Sequence, residues 1–306
     1  MQGHCSYTVF AGPNQKYVFQ FRLQSLFLDL QLVEQAREVY RDLVPETTFH
    51  GLLGGIGEAH EPVLVYKMTR VPGVSYIEAQ ITTPHPPDSP ERRLWRSTIV
   101  EDFARFFASS WKQPQTISEA SKQLLQVQYL ESLQLLLLHL PRSFHPAIEQ
   151  CIRDLPRIFL LPMVLTHQDM NVSNIIVDEA SGKLNGIVDW AEANVCPFGY
   201  NLRMLRDFTG AFWLKVGWKL YADHDELHKL FWETFRAEVG ELSIEDMQAI
   251  VSSRNLGCLL TRGFTKRLAN EPLPTPVGDD AIGRYNKLML DGFLINPDTK
   301  LCLDRI

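Results

Sequence analysis

The sequence predicts an α+β protein in two lobes, a small strand-rich N-terminal lobe and a large, mostly helical C-terminal one. Three observations carry this. Apolar runs of strand character dominate the first eighty residues, helical periodicity takes over from Leu94, and a hairpin pattern lies between Val164 and Trp190. At 306 residues, 45% hydrophobic and 22% charged, the chain has ample material for a core.

Within the first lobe, residues 6–10 and 17–23 read as strands around a turn at Gly12-Pro13-Asn14. Residues 26–43 carry a helical pattern, with Leu32, Ala36, Val39, Tyr40 and Leu43 near 3.6 spacing and Pro45 just beyond. Residues 63–68 form a third strand, ending before Val71-Pro72-Gly73. The lobe boundary is set there, at 1–72 and 73–306. Four prolines in residues 82–93 predict an extended or mobile loop, because proline suits neither a helix interior nor a paired strand. Helices follow over 94–110, 117–140 and 146–153, and again from Phe198 to the end, with a further loop at 270–276. Trp213, Trp218, Tyr221, Phe231, Trp232 and Phe235 fall in those late helices and read as core, with one or two left to face an acceptor. Asp207, Asp223, Asp225 and Glu226 read as solvated helix ends.

The charge balance narrows the partners. A formal charge of −6 without a basic stripe argues against nucleic acid. Five scattered cysteines without a C-x-x-C pair predict reduced thiols in the cytoplasm rather than zinc or disulfides. The N-terminus lacks the apolar core of a signal peptide, and the leucine-dense block 133–140 is too short to span a bilayer.

The chemistry is concentrated in residues 164–190, VLTHQDMNVSNIIVDEASGKLNGIVDW. A strand ends at His167, a polar loop holds Asp169 and Asn174, and two aliphatic runs flank a turn containing Ser181 and Gly182. Folding the segment about that turn sets Asn174 opposite Asp189. Phosphoryl transfer needs such a set: one carboxylate to orient or deprotonate the acceptor, and an oxygen ligand plus a second carboxylate for magnesium.

His167-Gln168-Asp169, with Asn174 five residues past the aspartate and Ile187-Val188-Asp189-Trp190 after the hairpin, resembles the aminoglycoside phosphotransferase and choline kinase-like family of the protein kinase-like superfamily. Residues 190–202, WAEANVCPFGYNL, look like its fungal members. The resemblance implies a two-lobed kinase-like fold that passes the γ-phosphoryl of ATP, with Mg2+, to a hydroxyl (or, as second choice, an amine) of a small-molecule acceptor. It assigns Asp169 to the acceptor proton, Asn174 and Asp189 to magnesium, and His167 to bracing the loop. Arg22 stands where a phosphate-gripping lysine is usual, Glu34 would pair with it, Met68 would offer backbone bonds to adenine, and Ser6 would touch phosphate. The chain departs from the pattern at the glycine-rich loop, where it has only Gly3-His4-Cys5-Ser6-Tyr7-Thr8 and no preceding strand. Two other readings stand beside this one: a pseudokinase or binding module, and an ATP-independent enzyme of natural-product biosynthesis using Asp169 as a base.

Overall fold

A computed structural model describes residues 6–55, 61–265 and 273–300. The first lobe is an antiparallel sheet of β1 (Tyr7–Ala11), β2 (Tyr17–Leu23), β3 (Thr47–Leu53) and β4 (Val63–Thr69), in the order β1-β2-β4-β3. Alternation in YVFQFRL turns Gln20 and Arg22 to the same buried face of β2. Helix α1 (Leu30–Tyr40) packs there through Val33, Ala36, Val39 and Tyr40, and the Asp29 carboxylate caps it by accepting from the Gln31 and Leu32 amides. The helix is shorter than predicted, because residues 24–26 and 41–43 form separate 3₁₀ turns. Strand β3 was not predicted at all. Gly51 and a register shift between Phe49 and Gly51 hide its alternation.

The chain then enters the second lobe through β5 (Val74–Ser75), which joins β7 (Ile175–Val177) and β8 (Leu184–Ile187) in a three-stranded sheet. Gly73 makes this entry possible. Its φ is 111°, and a Cβ there would lie 2.2 Å from the Val177 carbonyl oxygen. Helix α2 (Tyr76–Thr82) follows, capped by Ser75. The proline-rich segment is an extended loop only up to Ser89. Pro90 opens α3 (Pro90–Lys112), where the missing amide costs nothing and Ser89 caps the turn. Helices α4 (Glu119–His139) and α5 (His145–Ile158) lead to β6 (Met163–His167), which pairs antiparallel with β9 (Ala193–Pro197).

Beyond β9, α6 (Leu205–Thr209) is followed by a hairpin of β10 (Gly210–Trp213) and β11 (Gly217–Leu220), where continuous helix was expected. Trp213 is accordingly exposed, whereas Trp218, Phe231, Trp232 and Phe235 are core. Helices α7 (His224–Val239), α8 (Ile244–Arg262) and α9 (Ala281–Leu294) complete the lobe. One apolar cluster joins α1, α3 and α7 to the β7–β8 hairpin, and a second joins α4, α5, α8 and α9. Two acids expected in solvent are not there. Asp223 is buried against Arg96 at 2.7 Å, and Asp207 is largely enclosed, its carboxyl pushed up to about 6 by burial despite the nearby Arg203, Arg262 and Arg206. Among the described residues, no helix is long and apolar enough to cross a membrane.

Candidate active site

The β7–β8 hairpin builds the site from the backbone outward. Ile175 pairs with Ile187, so Asn174 and Val188 meet at the open end, where the Val188 amide donates to the Asn174 carbonyl at 2.9 Å. The turn that closes the other end is held by Asp178, which accepts from the Ser181 amide and hydroxyl. Gly182 there has φ 77° and sits against the Trp95 carbonyl, so a side chain would collide with α3.

At the open end the predicted residues converge. The Asn174 amide nitrogen donates to the Asp169 carbonyl at 3.0 Å and reaches its carboxylate at 3.4 Å, while Asn171 donates to the same carboxylate at 3.2 Å. Spending its nitrogen on Asp169 leaves the Asn174 amide oxygen for a cation. His167 is buried. Its Nε2 donates to the Val188 carbonyl at 2.9 Å and its ring stands edge-on to Trp190. Burial holds its pKa below the ordinary value, so the ring is neutral at neutral pH. Its bond to the Val188 carbonyl ties it to the segment that carries Asp189. Asp189 itself adopts the left-handed conformation (φ 66°, ψ 58°), an uncommon state for a non-glycine residue. The Trp190 indole, donating to the Ile187 carbonyl at 2.8 Å, locks the turn behind it.

Hard oxygen donors from Asn174 and Asp189 fit magnesium. No group of three or more His, Cys, Asp or Glu that could hold a metal occurs among the described residues.

The phosphate-side residues divide. Arg22 is buried on β2 and its guanidinium lies 3.6 Å from the Asp189 carboxylate. Its Nε donates to the Leu26 carbonyl at 2.7 Å and an Nη reaches the Gln20 amide oxygen at 3.3 Å. Glu34 is not its partner: that side chain is 65% exposed and faces Arg37 at 3.8 Å. The apolar stripe of α1 faces the core, so both Glu34 and Glu38 rotate outward. Met68 also departs from expectation. It sits in register with Val18 on one side and Thr47 on the other, so its backbone belongs to the ladder, and only its side chain lines the cleft with Gln20, Thr47, Asp189 and Trp190. Ser6 precedes β1, where extending the Tyr7–Phe21 register sets it level with Arg22; Gly3 to Cys5 lie outside the described residues.

Residues 8–230 match the sequence pattern of the phosphotransferase enzyme family. The chain belongs to that family. No curated protein matches it in sequence. Among solved structures, a candidate aminoglycoside phosphotransferase from Ralstonia eutropha is 14% identical, with 93% of this chain and 90% of that one covered and a TM-score of 0.55. The macrolide 2′-phosphotransferase of Brachybacterium faecium is 10% identical over 84% and 80%, with a TM-score of 0.50. An ethanolamine kinase from Plasmodium vivax is 12% identical over 93% and 77%, with a TM-score of 0.48. The likeness to the first two shows the two-lobed kinase-like fold.

Several supports of this phosphotransferase site were not read from the sequence. The Tyr40 hydroxyl bonds the Leu165 carbonyl at 2.5 Å, fixing α1 to the strand that ends at His167. The Asn201 amide nitrogen donates to the His167 carbonyl at 2.6 Å, and Arg203 donates to the Met170 carbonyl at 3.1 Å. Asn201 lay within the stretch that carried the resemblance, which was the available signal. Arg203 gave none, because a lone arginine on an amphipathic segment reads as surface.

Proposed function

We propose that this protein transfers the γ-phosphoryl group of ATP to a hydroxyl of a small molecule. The reading rests on one observation above all, the joining of Asp169, Asn174 and Asp189 at the open end of a single hairpin. Asp169 faces the acceptor, orients its hydroxyl and takes its proton as the oxygen becomes a nucleophile. Asn171 and Asn174 hold that carboxylate in place. Asn174 and Asp189 would hold Mg2+, with Arg22 beside them to receive phosphate oxygens. ATP and its magnesium supply the transferable group and neutralise the charge that gathers on it. His167, Asn201 and Arg203 keep the loop in place without touching substrate.

The test is transfer of radiolabelled γ-phosphate to a panel of hydroxyl- and amine-bearing small molecules, run with wild type and Asp169→Asn. Label transfer to a hydroxyl acceptor that the variant loses supports the reading. Turnover of an acceptor without ATP, or label transfer that survives Asp169→Asn, contradicts it.

A further inference from the structure

We propose that a small cavity inside the second lobe, enclosed by α6, α7 and α8, is a binding site for a small monovalent anion of the size of chloride. The inference stands apart from the phosphotransfer reading. Each of the three helices gives the cavity polar side chains: Arg206 from α6, His228 and Trp232, one turn apart, from α7, and Arg254 from α8. The rest of the wall is aliphatic. All four polar side chains are buried, none more than 4% exposed.

The chemistry of that wall selects the guest. Arginine and indole can only donate hydrogen bonds, and histidine can donate from one nitrogen or both. Among the described residues, no carboxylate lines the cavity. The Trp232 indole N–H is buried and finds no acceptor among the described residues, a state that buried donors rarely keep. A guest is therefore asked to accept hydrogen bonds and to bring negative charge. Water answers half of this, because it must also donate twice, and among the polar side chains only a histidine nitrogen could accept. A halide accepts from every side and donates nothing. Size agrees. The cavity measures about 10 Å³, room for one guest the size of a water molecule or a chloride ion and too little for phosphate.

The surrounding charges point the same way. The Asp207 carboxylate feels Arg203, Arg262 and Arg206 together, so one acid is spread over three guanidiniums. Burial pushes the Cys258 thiol up to about 11 against the pull of Arg203, Arg254, Arg206 and Arg262, so its sulfur brings no negative charge at neutral pH. Asp223, just before α7, is committed to Arg96. Arg206 is held in advance of any guest, donating to the Thr299 carbonyl and lying 5.3 Å from the Phe293 ring centre. A guest that ties α6 to α7 and α8 also steadies the adjoining 3₁₀ turn, Leu202–Met204, whose Arg203 donates to the Met170 carbonyl beside Asp169.

The experiment titrates chloride into the full chain at constant ionic strength, with gluconate, too large for the cavity, making up the balance. It reads the indole N–H signals of 15N-labelled protein and the melting temperature. The Trp232 signal is the one missing from Trp232→Phe. In wild type that signal should move saturably with chloride, and the melting temperature should rise over the same concentrations, as binding to the folded state alone requires. Arg254→Met should weaken chloride binding at least about tenfold, the loss expected for one hydrogen bond to a charged group, and Arg254→Lys should weaken it less. Trp232→Phe keeps the ring and loses the donor. It should reduce the chloride-dependent rise in melting temperature, and it serves if Arg254→Met does not fold. A Trp232 signal that chloride does not move, or a titration that Arg254→Met and Trp232→Phe leave unchanged, overturns the inference.

Discussion

Replacing His167 by leucine separates bracing from acid–base chemistry. The substitution keeps the buried volume roughly constant and removes both ring nitrogens. It loses the Nε2 bond to the Val188 carbonyl, 2.9 Å long, and stranding that acceptor costs about 1–3 kcal/mol. It also removes the buried Nδ1, which has no hydrogen-bond partner among the described residues and whose burial costs a similar amount. The two nearly cancel, so at pH 8 the variant should match wild type in stability to within about 1 kcal/mol. Acid breaks the tie. Burial lowers the native pKa of His167 below the unfolded value of 6.5, so the unfolded chain binds the extra proton. The stability this group supports is complete above about pH 6.5 and is lost below it, by at most about 1.4 kcal/mol per pH unit until the native ring titrates. Urea unfolding at pH 8 and pH 5.5 reads this directly. Between those values His167→Leu should gain up to about 1.4 kcal/mol on wild type, a midpoint difference near half a molar if m is about 3 kcal/mol/M. Equal pH slopes in the two proteins would refute the neutral, buried histidine. Phosphoryl transfer should fall in the variant at both pH values, because the Val188 carbonyl next to Asp189 is released.

Other perturbations have equally definite outcomes. Asp169→Asn should cut turnover by about 10²- to 10⁴-fold with ATP affinity within a few fold of wild type, measured by label transfer and calorimetry. Asp223→Asn strands the buried Arg96 charge and should cost about 3 kcal/mol, seen as a melting temperature lower by roughly 5–10 °C. For Asp207 the native carboxyl is pushed up to about 6 from 3.8, so its contribution is present below pH 3.8 and lost as pH rises through about 6. Asp207→Asn should therefore raise the melting temperature at pH 7.5 more than at pH 4.5. A uniform shift would show that the three neighbouring arginines, rather than burial, govern this group.

Much of the site was legible because it is local. His167 to Asp189 fold into one hairpin, and the alternation of Ile175, Val177 and Leu184 with a Ser-Gly turn between them specifies that geometry without distant partners. Strand β2 and helices α3 and α4 were legible for the same reason. What failed depended on distant packing. Glu34 has a plausible spacing, but the direction of a helical side chain is fixed by which stripe meets the core, and Val33, Ala36 and Tyr40 took that stripe. The place of the Met68 backbone inside the ladder was not foreseen, because β3 pairs on its far side and was hidden by its bulge. The β10–β11 hairpin was mistaken for helix because its aromatic residues are also compatible with a helical repeat. Asp223 was read as solvated because Arg96 approaches it across 127 residues of sequence.

The most direct test of the account is ATP binding by calorimetry with and without Mg2+, on wild type and on Asp189→Ala. The account predicts magnesium-dependent binding in wild type that the variant loses. Binding by wild type that ignores magnesium, or that survives Asp189→Ala unchanged, would contradict it.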